Sequence, residues 1–127
     1  MAKILVIEDN NEINQMIVNL LSEHYPVAGA YSGTEGLLLF QQESPDLVLL
    51  DIMLPGKNGD QVLSEIRKVS QVPVIMLTAL GEKKLVSEYL LNGANDYITK
   101  PFDDEELLAR VMVQLRQFRQ ESVTGGA

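Results

Sequence analysis

Cysteine is absent from this chain of 127 residues, which excludes disulfide and thiolate chemistry. Histidine occurs once, as His24, so a metal site here would have to be built from oxygen ligands. Long apolar runs are missing as well: none approaches the ~18–20 residues of a membrane span, and a soluble globular protein with no membrane partner is expected. The amino terminus, MAKILVIED, has the start of a strand and lacks the longer apolar core and small-residue cleavage site of a signal peptide. The cytoplasm is therefore the expected compartment. Basic side chains are in deficit, 10 against 18 acidic ones for a net charge of −8, which opposes sequence-independent attraction to nucleic acid phosphates. The chain alone is not expected to bind DNA.

What is present is enough for one domain, since a chain of this length can bury roughly two-thirds of its unfolded surface. The runs Lys3 to Ile7, Leu47 to Leu50 and Val74 to Leu77 have the length and continuity of strands buried on both faces of a parallel sheet. Weaker ones lie at Pro26 to Tyr31 and at Tyr97-Ile98. Between them the spacing is helical. Ile13, Met16, Ile17, Leu20 and Leu21 make a stripe down one helix face, and Ser32-x-x-Glu35 is a capping-box pattern that opens the second helix. Val62, Leu63, Ile66 and Val69 mark the third helix, Leu85, Val86, Tyr89 and Leu90 the fourth, and Leu108, Val111, Met112 and Leu115 the fifth. The fifth begins at Asp103-Asp104-Glu105-Glu106 and is expected to end near Arg116 and Arg119, with charges opposed to the helix macrodipole at both ends. Strict alternation of five strands and five helices predicts a doubly wound α/β domain with a parallel sheet and right-handed crossovers. One domain over residues 1–119 is expected, with 120–127 as a linker stub or disordered tail.

In a parallel sheet every carboxyl end emerges on one edge, and ligands bind there where the strand order reverses. The residues just past the strands are Glu8-Asp9, Asp51, Thr78-Ala79 and Thr99-Lys100-Pro101. If the order is 2-1-3-4-5, Glu8, Asp9 and Asp51 meet at the reversal, with Thr78 and Lys100 nearby. Carboxylates crowded together raise one another's pKa unless a cation sits among them. A hard divalent ion such as Mg²⁺ suits an oxygen-only set, and its open positions leave room for a phosphoryl oxygen. Lys100 then supplies a point charge and Thr78 a donor. Any one of these acids could instead be a turn former or cap, and Asp9 or Asn10 could simply cap the first helix. Joint placement on one edge is what favours a site. His24 is expected at an ordinary helix end, and Met16, Met53, Met76 and Met112 in packing.

The set Glu8-Asp9, LVLLDIMLPGKNG around Asp51, VPVIMLTA ending in Thr78-Ala79, and GANDYITKPF with Tyr97, Lys100 and Pro101 resembles the receiver domains of bacterial two-component response regulators over about residues 2 to 119. The LxP-x-x-x-G and DYxTKPF forms look most like the OmpR/PhoB-type branch. The resemblance implies a flavodoxin-like or CheY-like (βα)5 fold and a signalling module, not an enzyme acting on other molecules; it promotes only its own phosphorylation and dephosphorylation. It implies that Asp51 is the phosphoacceptor, taking a phosphoryl group from a phosphohistidine on a sensor histidine kinase. Asp9, Asp51 and the main-chain carbonyl of Met53 would ligate Mg²⁺ or Mn²⁺, with Glu8 acting through a water. Lys100 would clamp the phosphoryl group, Thr78 would hydrogen-bond it, and Tyr97 would rotate into the space Thr78 leaves. That changes the face made by the fourth helix, fifth strand and fifth helix. The Lys100-Pro101 bond is expected to be cis, aiming the lysine into the pocket.

The departures from the branch are also expectations. Leu85 and Val86 replace charges that pair across an active dimer, and Asn95 replaces an acid, while Asp96, Arg110 and Arg116 remain as a candidate dimer face for a homodimer formed on phosphorylation. Exposed Leu85 or Leu91 would favour a more hydrophobic one. Met53 and Leu80 stand two residues past Asp51 and Thr78; neither can orient a water, so the acyl phosphate should be long-lived. The kinase is expected to dock along the first helix at Asn11, Asn14, Gln15 and Val18. Output is expected to be transcriptional, through a winged-helix DNA-binding domain absent from this chain, with a stand-alone receiver or scaffold as the alternative. A haloacid-dehalogenase-type phosphatase would need a second Asp where Met53 stands. An FMN carrier would need a phosphate loop where Glu8-Asp9-Asn10 repels phosphate, and a scaffold that has lost the chemistry is disfavoured because no pocket residue is missing.

Overall fold

A computed structural model describes residues 2–79 and 83–126, without the side chains of 83–85 and 119–126. The elements alternate as β1 (Ile4–Ile7), α1 (Asn11–Ser22), β2 (Val27–Ala30), α2 (Gly33–Glu43), β3 (Leu47–Asp51), α3 (Gly59–Val69), β4 (Val74–Ala79), α4 (Lys83–Leu91), β5 (Asp96–Lys100) and α5 (Asp104–Gly126). The five strands form one sheet in the order β2-β1-β3-β4-β5, parallel at every pairing. It is the doubly wound, flavodoxin-like fold.

The continuous apolar runs are explained by burial on both faces, because successive side chains of a strand point to opposite sides. Leu5, Ile7, Val48, Leu50, Val74 and Met76 enter one core with Val62, Leu63 and Ile66 of α3 and Tyr89 of α4. Ile4, Val6, Leu47, Leu49, Ile75 and Leu77 enter the other, with Ile17 and Leu21 of α1 and Leu107, Val111 and Leu115 of α5. Each such side chain stabilises the fold by about 1.5–3 kcal/mol relative to exposure. The edge strands β2 and β5 are only partly buried, which is why their apolar signal is weak. Among the described residues no helix is long and apolar enough to cross a membrane.

Several expectations need adjustment. Val69 closes α3 but is 76% exposed; it is the last residue of the helix, beyond the buried Val62, Leu63 and Ile66. Of the four methionines expected in packing, only Met76 is in the core; Met16 of α1 and Met112 of α5 are on exposed helix faces, and Met53 is exposed in the segment between β3 and α3. In the Ser32 capping box the hydroxyl accepts from the Glu35 N–H as expected, but the Glu35 carboxylate accepts from the N–H of Tyr31, not of Ser32. Residues 120–126, expected as a linker stub or loose tail, have helical backbone, and Arg116 and Arg119 lie well before the end of α5. Apolar period marks where a helix is packed, and the backbone ladder continues without it. Leu80 and the Leu85 side chain lie outside the described residues.

Candidate functional site

The register of the central strands brings the acids together. Ile7 pairs with Leu50 across β1 and β3, so Glu8 and Asp51, each one residue further on, emerge side by side where the strand order reverses. On the other side Asp51 pairs with Leu77 and Ala79 with Lys100, which sets Lys100 two residues beyond the level of Asp51 and lets its long side chain reach back. Chain exit after Asp51 depends on Gly59: its N–H donates to the Ile52 carbonyl at 2.9 Å, and a Cβ there would stand 2.7 Å from the Asp51 carbonyl oxygen. Only hydrogen fits, so α3 can start directly against the strand that carries Asp51.

The result is an open cleft of about 350 Å³ lined by Glu8, Asp9, Asn10, Ile13, Asp51, Ile52, Met53, Ala79 and Lys100. The Lys100 ammonium donates to Asp51 Oδ2 at 3.0 Å and to Glu8 Oε1. The remaining oxygens are also used: Glu8 Oε2 accepts from the Asn10 N–H at 3.1 Å, and Asp51 Oδ1 from the Met53 N–H at 3.2 Å. Glu8 is fully buried and Asp51 nearly so, at 6% exposed, whereas Asp9 is exposed and has neither hydrogen bond nor ion pair among the described residues. Burial, reinforced by the Asp51 carboxylate and only partly offset by Lys100, pushes the Glu8 carboxyl up to about 7. Burial works to lower the Lys100 pKa, but its hydrogen bonds and charge interactions with Glu8 and Asp51 outweigh it, and the net shift is upward.

Carboxylate oxygens of Glu8, Asp9 and Asp51 all lie within 4.8 Å of one another. Three hard oxygen donors with no thiolate or imidazole among the lining residues fit Mg²⁺ or Mn²⁺. Asp9 has its lone pairs free among the described residues, while Glu8 and Asp51 each accept two hydrogen bonds, Glu8 from Lys100 and Asn10 and Asp51 from Lys100 and Met53.

Of the residues predicted for this edge, Glu8, Asp9, Asp51 and Lys100 converge, and Met53 lies on the rim with its side chain 74% exposed. Thr78 does not line the cleft. It is buried, and its hydroxyl donates to the Ala79 carbonyl at 3.1 Å. Tyr97 points outward, 38% exposed. The Lys100-Pro101 peptide is cis. Asn10, not Asp9, caps α1, accepting from the Ile13 N–H at 3.0 Å, so Asp9 stays available to the cleft. Away from the cleft, Asp96 and Arg110 pair within the chain at 2.9 Å, and Arg116 is exposed. Asn95 accepts from the Val74 N–H and from Arg67, a role in closing the sheet.

One expectation is overturned. Asn14, predicted to face a partner from α1, is fully buried, and its amide donates to the carbonyls of Glu8 and Ala30 at 2.9 Å each. Sequence reasoning missed it, although a signal existed: Asn14 stands three residues before Ile17 and seven before Leu21, on the buried stripe.

The model of the response regulator receiver domain matches residues 4–112. Hybrid signal transduction histidine kinase D of Dictyostelium discoideum is 40% identical over 129 residues, which is 95% of this chain but only 8% of that protein. Among solved structures, the receiver domain of Francisella response regulator 1452 is 34% identical with a TM-score of 0.86, covering 92% of this chain and 98% of that one. NtrX from Brucella abortus superposes with a TM-score of 0.93 at 27% identity, over 98% of this chain and 29% of that one.

Proposed function

The chain belongs to the response regulator receiver family, and from that premise we propose that Asp51 accepts a phosphoryl group from a phosphohistidine on a sensor histidine kinase. The observation that carries this is the Lys100 ammonium 3.0 Å from the Asp51 carboxylate, beside two further acids. An Asp51 oxygen attacks phosphorus, the P–N bond breaks, and its electron pair returns to the imidazole, which takes up a proton. Lys100 offsets charge on the equatorial oxygens, and positioning with charge neutralisation is most of what such a transfer requires. A divalent ion held by Asp9, Asp51 and the Met53 carbonyl, with Glu8 through a water, would supply further neutralisation. Thr78 turns from the Ala79 carbonyl toward the phosphoryl group, and Tyr97 follows inward. This is a two-state shift of the α4-β5-α5 face that needs a few kcal/mol of differential interaction.

A kinase partner is also supported by the kinase relative, in which the matching segment is a small part of a longer protein. We assign output to transcription through a winged-helix domain of the OmpR/PhoB type, on the LxP-x-x-x-G and DYxTKPF forms, in the cytoplasm where such a kinase presents its phosphohistidine; the alternative is a receiver acting alone or as a scaffold. Asp96, Arg110 and Arg116 form the dimer face in this reading, and Asp96 and Arg110 exchange their internal pair for contacts with a second copy. The receiver occupies 1–119, with 120–127 leading toward the effector. The acyl phosphate is long-lived in this reading because neither Met53 nor Leu80, two residues past Asp51 and Thr78, has a group that can orient an attacking water.

The test is intact mass after incubation with acetyl phosphate and Mg²⁺, with Asp51→Ala in parallel. One added phosphoryl group, lost in Asp51→Ala and with EDTA, is expected; an adduct that survives in Asp51→Ala refutes the assignment. Disappearance of the adduct within seconds of donor removal would refute the long lifetime.

A further inference from the structure

Asn14 is among the few buried polar residues, with Glu8, Asp51 and Thr78, and its hydrogen bonds link the acidic turn to β2. Its amide nitrogen reaches the carbonyls of Glu8 and Ala30, at the carboxyl ends of neighbouring strands β1 and β2. Its Oδ1 is buried without a conventional partner. Opposite it stands Gly29, where a Cβ would lie 2.7 Å from that oxygen, so the glycine hydrogen occupies the only space left and offers at most a weak C–H···O contact. A buried acceptor left in this way is costly, and a leucine would pack on the same stripe without that cost. The retained carboxamide therefore points to a use for its two donors.

We propose that Asn14 is a positioning residue for metal binding in the cleft. By tying the Glu8 carbonyl to the end of β2, it fixes the backbone from which Glu8 and Asp9 project. Gly29 is its complement, keeping clear the space the carboxamide needs. The inference rests on the proposed reading of the cleft as a metal-dependent phosphoacceptor. Groups behind a metal's own ligands typically change its affinity by about 10- to 100-fold when removed.

The test uses Mn²⁺ alone as probe, with free and bound ion counted by electron paramagnetic resonance on the whole chain. Asn14→Ala and the smaller change Asn14→Ser are expected to raise the Mn²⁺ dissociation constant about tenfold. The Mg²⁺ concentration for half-maximal phosphorylation should rise in parallel, with less change in the rate at saturating Mg²⁺. Leu21→Ala, buried in the same helix but remote from the turn, controls for plain destabilisation: it should lower the thermal midpoint and leave the Mn²⁺ constant unchanged. Gly29→Ala should weaken Mn²⁺ binding in the unmodified chain and have little further effect in Asn14→Ala, where the carboxamide is gone. Wild-type Mn²⁺ binding in folded Asn14→Ser and Asn14→Ala overturns the inference and leaves the proposed function standing. Failure of the unmodified chain to bind Mn²⁺ removes both.

Discussion

At the amino edge of the sheet, charges and polar groups are matched. The Lys3 N–H donates to Asp46 at 2.8 Å while its ammonium pairs with Glu43 at 3.1 Å. Arg67 spreads its guanidinium over the carbonyls of Gly93 and Ser70 and the Asn95 side chain, which in turn receives the Val74 N–H. At the carboxyl edge one ammonium, Lys100, faces Glu8 and Asp51 with Asp9 alongside. The first edge closes strand entries with partners it holds itself. The second is short of positive charge, a deficit that a divalent cation would meet. Similar residue types thus make a charge-matched set at one end of the strands and an acid-rich one at the other, and the difference lies in burial and stoichiometry.

The largest expected effect sharpens this contrast through pH. The Glu8 carboxyl is raised from 4.5 to about 7 in the folded chain, so the folded state holds the extra proton between those values. The associated stability is fully present below pH 4.5 and is lost as pH rises through 7, an effect on the order of 3 kcal/mol. In EDTA, denaturant unfolding of the unmodified chain should lose stability across that window relative to Glu8→Gln; parallel profiles would show that Glu8 is not strained by its setting. Next in size is the amino edge, where Arg67→Ala strips three hydrogen bonds and should cost about 2 kcal/mol without moving Mn²⁺ affinity. A change in metal binding there would erase the distinction between the edges.

The sign should invert at the cleft. Asp9→Asn removes the acid with no partner and is expected to raise metal-free stability at neutral pH by about 1 kcal/mol, while weakening Mn²⁺ binding; destabilisation would mean that the cleft carries no surplus charge. The smallest effect belongs to the half-exposed Lys3–Glu43 pair. Glu43→Gln should cost below about 1 kcal/mol and nothing at high salt, readable as a small shift in thermal midpoint that disappears in 1 M salt (about 3 Å screening length).

Glu8, Asp51 and Lys100 were legible because parallel pairing puts all the strand ends on one edge, whichever loop or helix comes next. Asn14 was not, because a polar residue near a helix start reads as solvent-facing unless the stripe through Ile17 and Leu21 is extended back to it. Thr78 was placed at the right strand end, but the direction of a hydroxyl rotor is a local choice between acceptors. Val69 and Met112 matched a helical period and still reached solvent, since period defines a face and the neighbours decide how far that face is covered.

By itself the sequence determined the alternation of strands and helices, the burial of β1, β3 and β4 on both faces, and the presence of acids at the strand ends, because each comes from short-range spacing. Only the tertiary structure decided which acids share Lys100, that Glu8 lies fully buried with a raised pKa while Asp9 stays in solvent, and that Asn14 ties two strand ends together. Those depend on register between strands far apart in the chain and on how much water each side chain keeps, and no local pattern encodes either.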